Sequence, residues 1–223
     1  MGRKVVTRTP HREVGVVNPA WLLDHEVEHE SHLERRFIIA ALACPVVVDI
    51  VHQPLTLSLT ALTDAEPQTY TPDFKVQLRD GTVIIIEVKP QKFVDKHAAR
   101  LRQAEQLVRS DGNRFLIVTE AHIDGNELAA RSMLLMRYGR MQFSDADARA
   151  HLEALRDACQ GSASVHQLVS RGLSQEAIWN MVARHKCRVP ADFSIDADQT
   201  ITTADVQEDC HDYFRAWFGI ASR

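Results

Sequence analysis

The chain has 223 residues, 45% of them hydrophobic and 25% charged, so it can bury a core without disulfides or structural metals and falls in the range of one to two domains. Its 26 basic and 30 acidic residues give a net charge of -4, which disfavours a freely binding basic coat or architectural protein for nucleic acid. The charge is uneven: residues 1–143 hold 18 basic and 18 acidic side chains and residues 144–223 hold 8 and 12, so the last third carries the whole deficit.

The first twelve residues contain Arg3, Lys4, Arg8 and Arg12 and no acid, which predicts a basic N-terminal arm over residues 1–20. No apolar segment follows these charges. The longest apolar run, from Phe37 to Val48, is interrupted by Pro45, so neither a signal peptide nor a membrane span is expected. Cys44, Cys159, Cys187 and Cys210 form no C-x-x-C pair and read as reduced thiols of a cytoplasmic protein. An acidic stretch from Asp24 to Glu30 leads into a helix starting near Ser31, with Leu33, Phe37, Ile38, Ala41 and Leu42 at helical spacing. Strands follow: Val46 to Ile50, the alternating stretch from Leu55 to Thr60, Asp73 to Leu78, and the run Val83 to Ile86, apolar on both faces as a central strand should be. A helix from about Lys92 to Arg109 and a strand from Arg114 to Thr119 complete a strand-helix-strand unit, which implies a parallel pair within a mixed sheet flanked by helices.

Beyond a helix over Leu128–Tyr138, a boundary near residue 144 coincides with the charge shift. The expected domains are thus the arm (1–20), an α/β domain (21–143) and a small C-terminal α(+β) domain (144–223). In the last of these, Val165 to Trp179 reads as two short amphipathic helices separated by Gly172 and a Ser174 cap. Phe193 to Thr202 reads as a hairpin, or wing, before a final helix around Tyr213, Phe214 and Trp217, giving a winged-helix-like pattern.

Two motifs carry chemistry. His25-Glu26-Val27-Glu28-His29 fits H-E-x-x-H, but zinc ligation by that pattern needs a helix, and the flanking Asp24, Glu30 and His32 make this a solvated stretch; a charged surface segment is expected. The second is Tyr70-Thr71-Pro72-Asp73 followed, after thirteen residues, by Glu87-Val88-Lys89. Glu87 and Lys89 share one strand face. A two-residue loop at Asp80-Gly81 would pair Asp73 with Val88, on the wrong face; a three-residue loop, Arg79-Asp80-Gly81 with Gly81 left-handed, pairs Asp73 with Glu87. Two adjacent carboxylates repel unless a divalent cation lies between them, and hard oxygen donors suit Mg²⁺ or Mn²⁺. Such a cation activates water while Lys89 orients it or neutralises the phosphoryl group, which describes a phosphodiesterase. Lys92, Lys96 and Arg100, spaced i, i+4, i+8, form a stripe on the following helix that suits a phosphate backbone.

Pro72-Asp73 with Glu87-Val88-Lys89 resembles the PD-(D/E)xK nuclease superfamily, and so implies a restriction-endonuclease-like fold. Ser31 to Phe37, Gln53-Pro54, Tyr70 to Phe74 and Glu87-Val88-Lys89-Pro90 further resemble TnsA-type endonuclease subunits of heteromeric transposases, over roughly residues 28–140. The resemblance implies a Mg²⁺-dependent DNA endonuclease with Asp73 and Glu87 as metal ligands, Lys89 as the electrostatic or water-orienting group, and Glu34 as a third metal-shell carboxylate. Ser31-x-x-Glu34 is also a capping box, the alternative to that role. Gln53 receives no catalytic role. The resemblance also implies cleavage of the 5′ ends of a transposon in double-stranded DNA, beside a DDE transposase, TnsB, and an AAA+ regulator, TnsC, which the C-terminal domain would contact; a homodimer is compatible with this. A stand-alone phage, repair or restriction-type nuclease and a non-catalytic adaptor on a decayed nuclease core are the alternatives.

Overall fold

Residues 14–59, 68–159, 162–203 and 209–221 are described by the computed structural model. Arg3, Lys4, Arg8 and Arg12 of the expected basic arm lie outside the described residues. The chain divides into two units: one runs up to Ile38 and resumes over Val47–Asp124, and the other comprises Ile39–Val46 with the chain from Gly125 onward. The sequence reading placed the change near residue 144. The helix expected over Leu128–Tyr138 follows the left-handed turn of Asn126 and Glu127 (φ 49° and 56°) and lies within the second unit.

In the first unit, β1 (Gly15–Val17) pairs antiparallel with β2 (Val27–His29). Helix α1 (His32–Leu42) follows, its residues from Ile39 onward counted with the second unit, and its Phe37, Ile38, Ala41 and Leu42 are all buried, as their spacing predicts. Next come β3 (Val47–His52), β4 (Leu57–Leu59), β5 (Gln68–Tyr70), β6 (Phe74–Leu78) and β7 (Val83–Val88). Helix α2 (Gln91–Val94), a 3-10 turn at Asp95–His97 and helix α3 (Ala98–Ser110) lead to β8 (Arg114–Val118) and helix α4 (Glu120–Asp124). The main sheet has the order β3-β6-β7-β8, antiparallel except for the parallel β7–β8 pair, and is the expected mixed sheet.

Three expectations change. The alternating stretch from Leu55 is shorter and leaves the main sheet: β4 pairs with β5 in a ribbon whose Leu59 and Tyr70 pack with Ile85, Leu101, Ala104 and Val108. The helix expected over Lys92–Arg109 is in three pieces, because no residue of Gln91–His97 is buried and the apolar stripe that holds a helix against the sheet begins only at Leu101. The H-E-x-x-H segment, expected as a charged surface segment, is a bend and a strand whose Val27 and His29 are buried, and His25 Nε2 lies 2.8 Å from Asp49 Oδ1.

The second unit contains α5 (Leu128–Gly139), α6 (Asp145–Cys159), β9 (Ser162–Ser164), α7 (Val165–Ser170), α8 (Gln175–Ala183), β10 (Cys187–Arg188), β11 (Thr200–Thr203) and α9 (Cys210–Trp217). Strands β10, β11 and β9 form an antiparallel sheet in that order. Ser164 and Gln167 make a capping box at α7, Ser174 caps α8, and Gly172 (φ 95°) makes the turn between them. Strand β9 was not anticipated, since its Ser-Ala-Ser sequence carries no strand signal. The hairpin is wider than the expected Phe193–Thr202: its first strand is Cys187–Arg188, and Phe193 is a core residue stacked on Trp217 at 5.0 Å between centroids. Among the described residues no helix is long and apolar enough to cross a membrane.

Candidate active site

The site is set by the turn between β6 and β7. Leu78 N–H donates to Thr82 O (2.9 Å) and Gly81 N–H to Leu78 O (3.0 Å), enclosing a three-residue loop whose Gly81 has φ 87°. A side chain rarely adopts that backbone, and glycine does so without penalty. The resulting register pairs Phe74 with Ile86 and Gln77 with Val83, so Asp73, one residue before β6, stands across from Glu87. This is the three-residue alternative of the two that the sequence left open.

Glu87 is 4% exposed, and each of its oxygens has one partner. Its Oε1 lies 2.6 Å from Lys89 Nζ, and its Oε2 accepts a short hydrogen bond from the Tyr70 hydroxyl. Burial first, then the Glu87 charge, raises the Tyr70 phenol well above its ordinary pKa, so the hydroxyl stays a donor. Arg100 holds Tyr70 from behind: its guanidinium is 5.0 Å from the ring centroid and donates to Thr69 O at 2.7 Å. Asp73 Oδ2 accepts from Val88 N–H at 2.7 Å. Burial, then Glu87, then Glu34 push the Asp73 carboxyl well above the usual carboxylate range, against the smaller opposing effects of Val88 N–H and Lys89.

Glu34 reaches the same place from α1. Phe37, one turn on, packs against Phe74 at 5.2 Å between centroids, which seats the helix on the sheet. Glu34 N–H donates to Ser31 Oγ (3.2 Å), while Ser31 Oγ–H and Glu30 N–H donate to its carboxylate (2.8 and 2.7 Å). The capping-box geometry is therefore present, and the Glu34 charge is felt at Asp73. Just past β3, Gln53 N–H donates to Asp73 O (2.7 Å) and its side chain donates to Glu30 Oε1 (3.0 Å). Gln53 has φ 44°, a left-handed conformation that costs a non-glycine residue on the order of 1–3 kcal/mol. His52, packed on Phe74, places Nδ1 3.9 Å from Glu28 Oε2 and Nε2 4.0 Å from Glu34 Oε2, and burial holds its imidazole below the ordinary pKa.

Asp73 and Glu87 are thus neighbours across the register, with Lys89 on Glu87, while burial first and then the Glu87 and Glu34 charges hold the Asp73 carboxyl up; the three carboxylates are not drawn into one closed ligand set. Asp73 Oδ1 takes no hydrogen bond from the described residues, so a lone pair is open. This donor set fits a hard divalent cation. Residues 44–120 match the family model described as TnsA-like endonuclease N terminal. This region is similar to TnsA-type nuclease domains. The search of curated proteins gives no match. The TnsA-like span includes Asp73, Glu87 and Lys89 and stops short of Glu34.

Around the TnsA-like site, the stripe expected from Lys92, Lys96 and Arg100 is broken. Lys92 is on α2 with its Nζ 5.0 Å from the Phe93 ring centroid, Lys96 is in the 3-10 turn, and Arg100 on α3 is turned onto Tyr70 and Thr69. Sequence reasoning quoted Tyr70 without a role, because the pairing of β4 with β5 that brings it to Glu87 was not foreseen. His52 was missed altogether; its position immediately ahead of Gln53-Pro54 was the available signal.

Proposed function

We propose that the chain is a Mg²⁺- or Mn²⁺-dependent DNA endonuclease whose metal ligands are Asp73, Glu87 and Glu34. The observation that carries this reading is the pairing of Asp73 with Glu87 across the β6–β7 register, with Lys89 on the same face and the Asp73 carboxyl held up by burial and then by the Glu87 and Glu34 charges. When bound, the cation would polarise a phosphoryl oxygen and lower the pKa of a water. The residues themselves do the rest. Lys89 donates to charge that develops on the phosphoryl group, Tyr70 and Lys89 hold Glu87 in one orientation, and Ser31 with Glu30 N–H fixes Glu34. Lys92 and Lys96 serve as contacts to DNA phosphates. Arg100 serves mainly as the brace behind Tyr70.

In its cellular setting the protein is proposed to cut the 5′ ends of a transposon beside a DDE transposase of the TnsB type, under an AAA+ regulator of the TnsC type. The order helix, strand, helix, helix, strand, strand, helix over Asp145–Trp217 supports reading the second unit as a winged-helix-like module, and the acidity of residues 144–223 favours a protein partner for it. The test is strand cleavage by the reconstituted system with Asp73→Ala and Glu87→Ala, each checked for folding by circular dichroism. Both variants should be folded and inactive, and retained cleavage in both would remove the proposal. Purified chain with plain DNA and Mg²⁺ should be nearly inert; robust cleavage there would favour a stand-alone nuclease.

A further inference from the structure

We infer that Gln53 is a positioning residue that fastens the Asp73 arm of the site to the Glu34 arm; this rests on the metal-site reading above. Two hydrogen bonds diverge from this one residue. Its backbone N–H holds Asp73 O at 2.7 Å, which fixes the chain immediately before β6. Its side-chain amide holds Glu30 Oε1 at 3.0 Å, and Glu30 N–H in turn holds Glu34 Oε2 at 2.7 Å. Asp73 and Glu34 are 39 residues apart in sequence and on different elements, so their spacing depends on whatever connects those elements locally.

The backbone of Gln53 indicates that the connection is held under strain. A φ of 44° is rare for a residue with a long side chain, and such conformations persist where the surroundings over-determine them. Glycine or asparagine would adopt the same backbone more readily, but neither side chain spans the distance to Glu30. A residue with a left-handed backbone and a full-length amide satisfies both requirements. The inner ligands are held by hydrogen-bonded neighbours, and loss of such neighbours weakens metal affinity.

The test is Mn²⁺ binding to the full chain, followed through the electron paramagnetic resonance signal of free Mn²⁺, for wild type, Gln53→Ala, Glu30→Ala, the double variant, Glu30→Gln and Asp73→Ala. Gln53→Ala and Glu30→Ala should each weaken binding about tenfold, and the double variant should be no weaker than either single, because all three break one link. Glu30→Gln keeps a side-chain oxygen as acceptor and should bind like wild type. Thermal melting of each variant without metal identifies a purely structural role, which would lower the melting temperature and leave Mn²⁺ affinity unchanged. If Gln53→Ala fails to fold, Gln53→Asn, which tolerates the left-handed backbone but is one methylene too short, carries the same test. Wild-type affinity in Gln53→Ala, or additive losses in the double variant, would overturn the inference while Asp73→Ala still lost binding. Undiminished binding in Asp73→Ala would instead overturn the metal site itself.

Discussion

The two units differ in their best-defined buried polar groups. In the second, three buried side chains donate to backbone carbonyls: Asn180 Nδ2 to Tyr138 O (2.7 Å) and Met141 O (3.0 Å), Trp217 Nε1 to Ala40 O (2.9 Å), and the Tyr213 hydroxyl to Val189 O. These are neutral, complete pairings that specify a fold and ask for nothing more. In the first, Lys89 pairs with Glu87, and burial together with the Glu87 and Glu34 charges leaves Asp73 resisting ionisation. Satisfied polar groups mark where a protein is built to stay as it is. Electrostatically incomplete groups mark where it is built to take something up.

Lys89→Ala is the sharpest way to break this contrast. It should lower cleavage by about a hundred- to a thousandfold, as removing one transition-state donor does, while Mn²⁺ affinity stays the same or rises because a neighbouring positive charge is gone. Parallel loss of affinity and cleavage would make Lys89 a structural partner of Glu87 only.

The next largest effect is a pH dependence. Because the folded state holds Asp73 protonated above the usual carboxylate range, folded protein binds a proton that unfolded protein lacks in that window, and stability without metal should fall as pH rises through it. A cation favours the ionised carboxylate, so Mn²⁺ binding should release a proton and tighten by up to about tenfold per pH unit until Asp73 is fully ionised. Calorimetric titration in buffers of different ionisation enthalpy counts that proton, and Asp73→Asn should abolish both trends.

On the other side of the comparison, Asn180→Ala should cost about 1–3 kcal/mol in chemical denaturation, since it strips the donor from two carbonyls at a residue only 6% exposed, and should leave Mn²⁺ affinity unchanged. The smallest effect is expected at His25. Its hydrogen bond to Asp49 raises the imidazole pKa, so its contribution is present below the ordinary imidazole range and lost as pH rises through the raised value. Partial exposure limits it to about 0.2–1 kcal/mol, read as the difference between wild type and His25→Gln in denaturation midpoints on either side of that range.

Much of the first unit was legible because its signals are local. Period-two alternation gave β6, the Ile-rich run gave β7, and the length of the Arg79-Asp80-Gly81 loop reduced the register to two alternatives, one of which brings Asp73 to Glu87. What escaped depends on long-range pairing. Tyr70 reaches Glu87 only because β5 joins β4 in a separate ribbon, and Arg100 is drawn off the basic stripe by that same Tyr70. The strand β9 is stabilised by β11, a partner about forty residues away, and nothing in Ser-Ala-Ser announces it. Charge spacing likewise suggested a straight helix from Lys92 to Arg100, whereas helix continuity followed burial, which starts at Leu101.

The Tyr70 hydroxyl on Glu87 also gives the protein an optical reporter. The chain has three tyrosines, and this one touches a carboxylate of the site. Terbium is a hard, oxygen-seeking cation whose green emission is sensitised by a phenol or indole close by. Ultraviolet excitation of Tyr70 should therefore light a terbium ion bound beside Asp73 and Glu87, and Tyr70→Phe should dim it, so that filling of the site can be watched in real time without DNA or turnover.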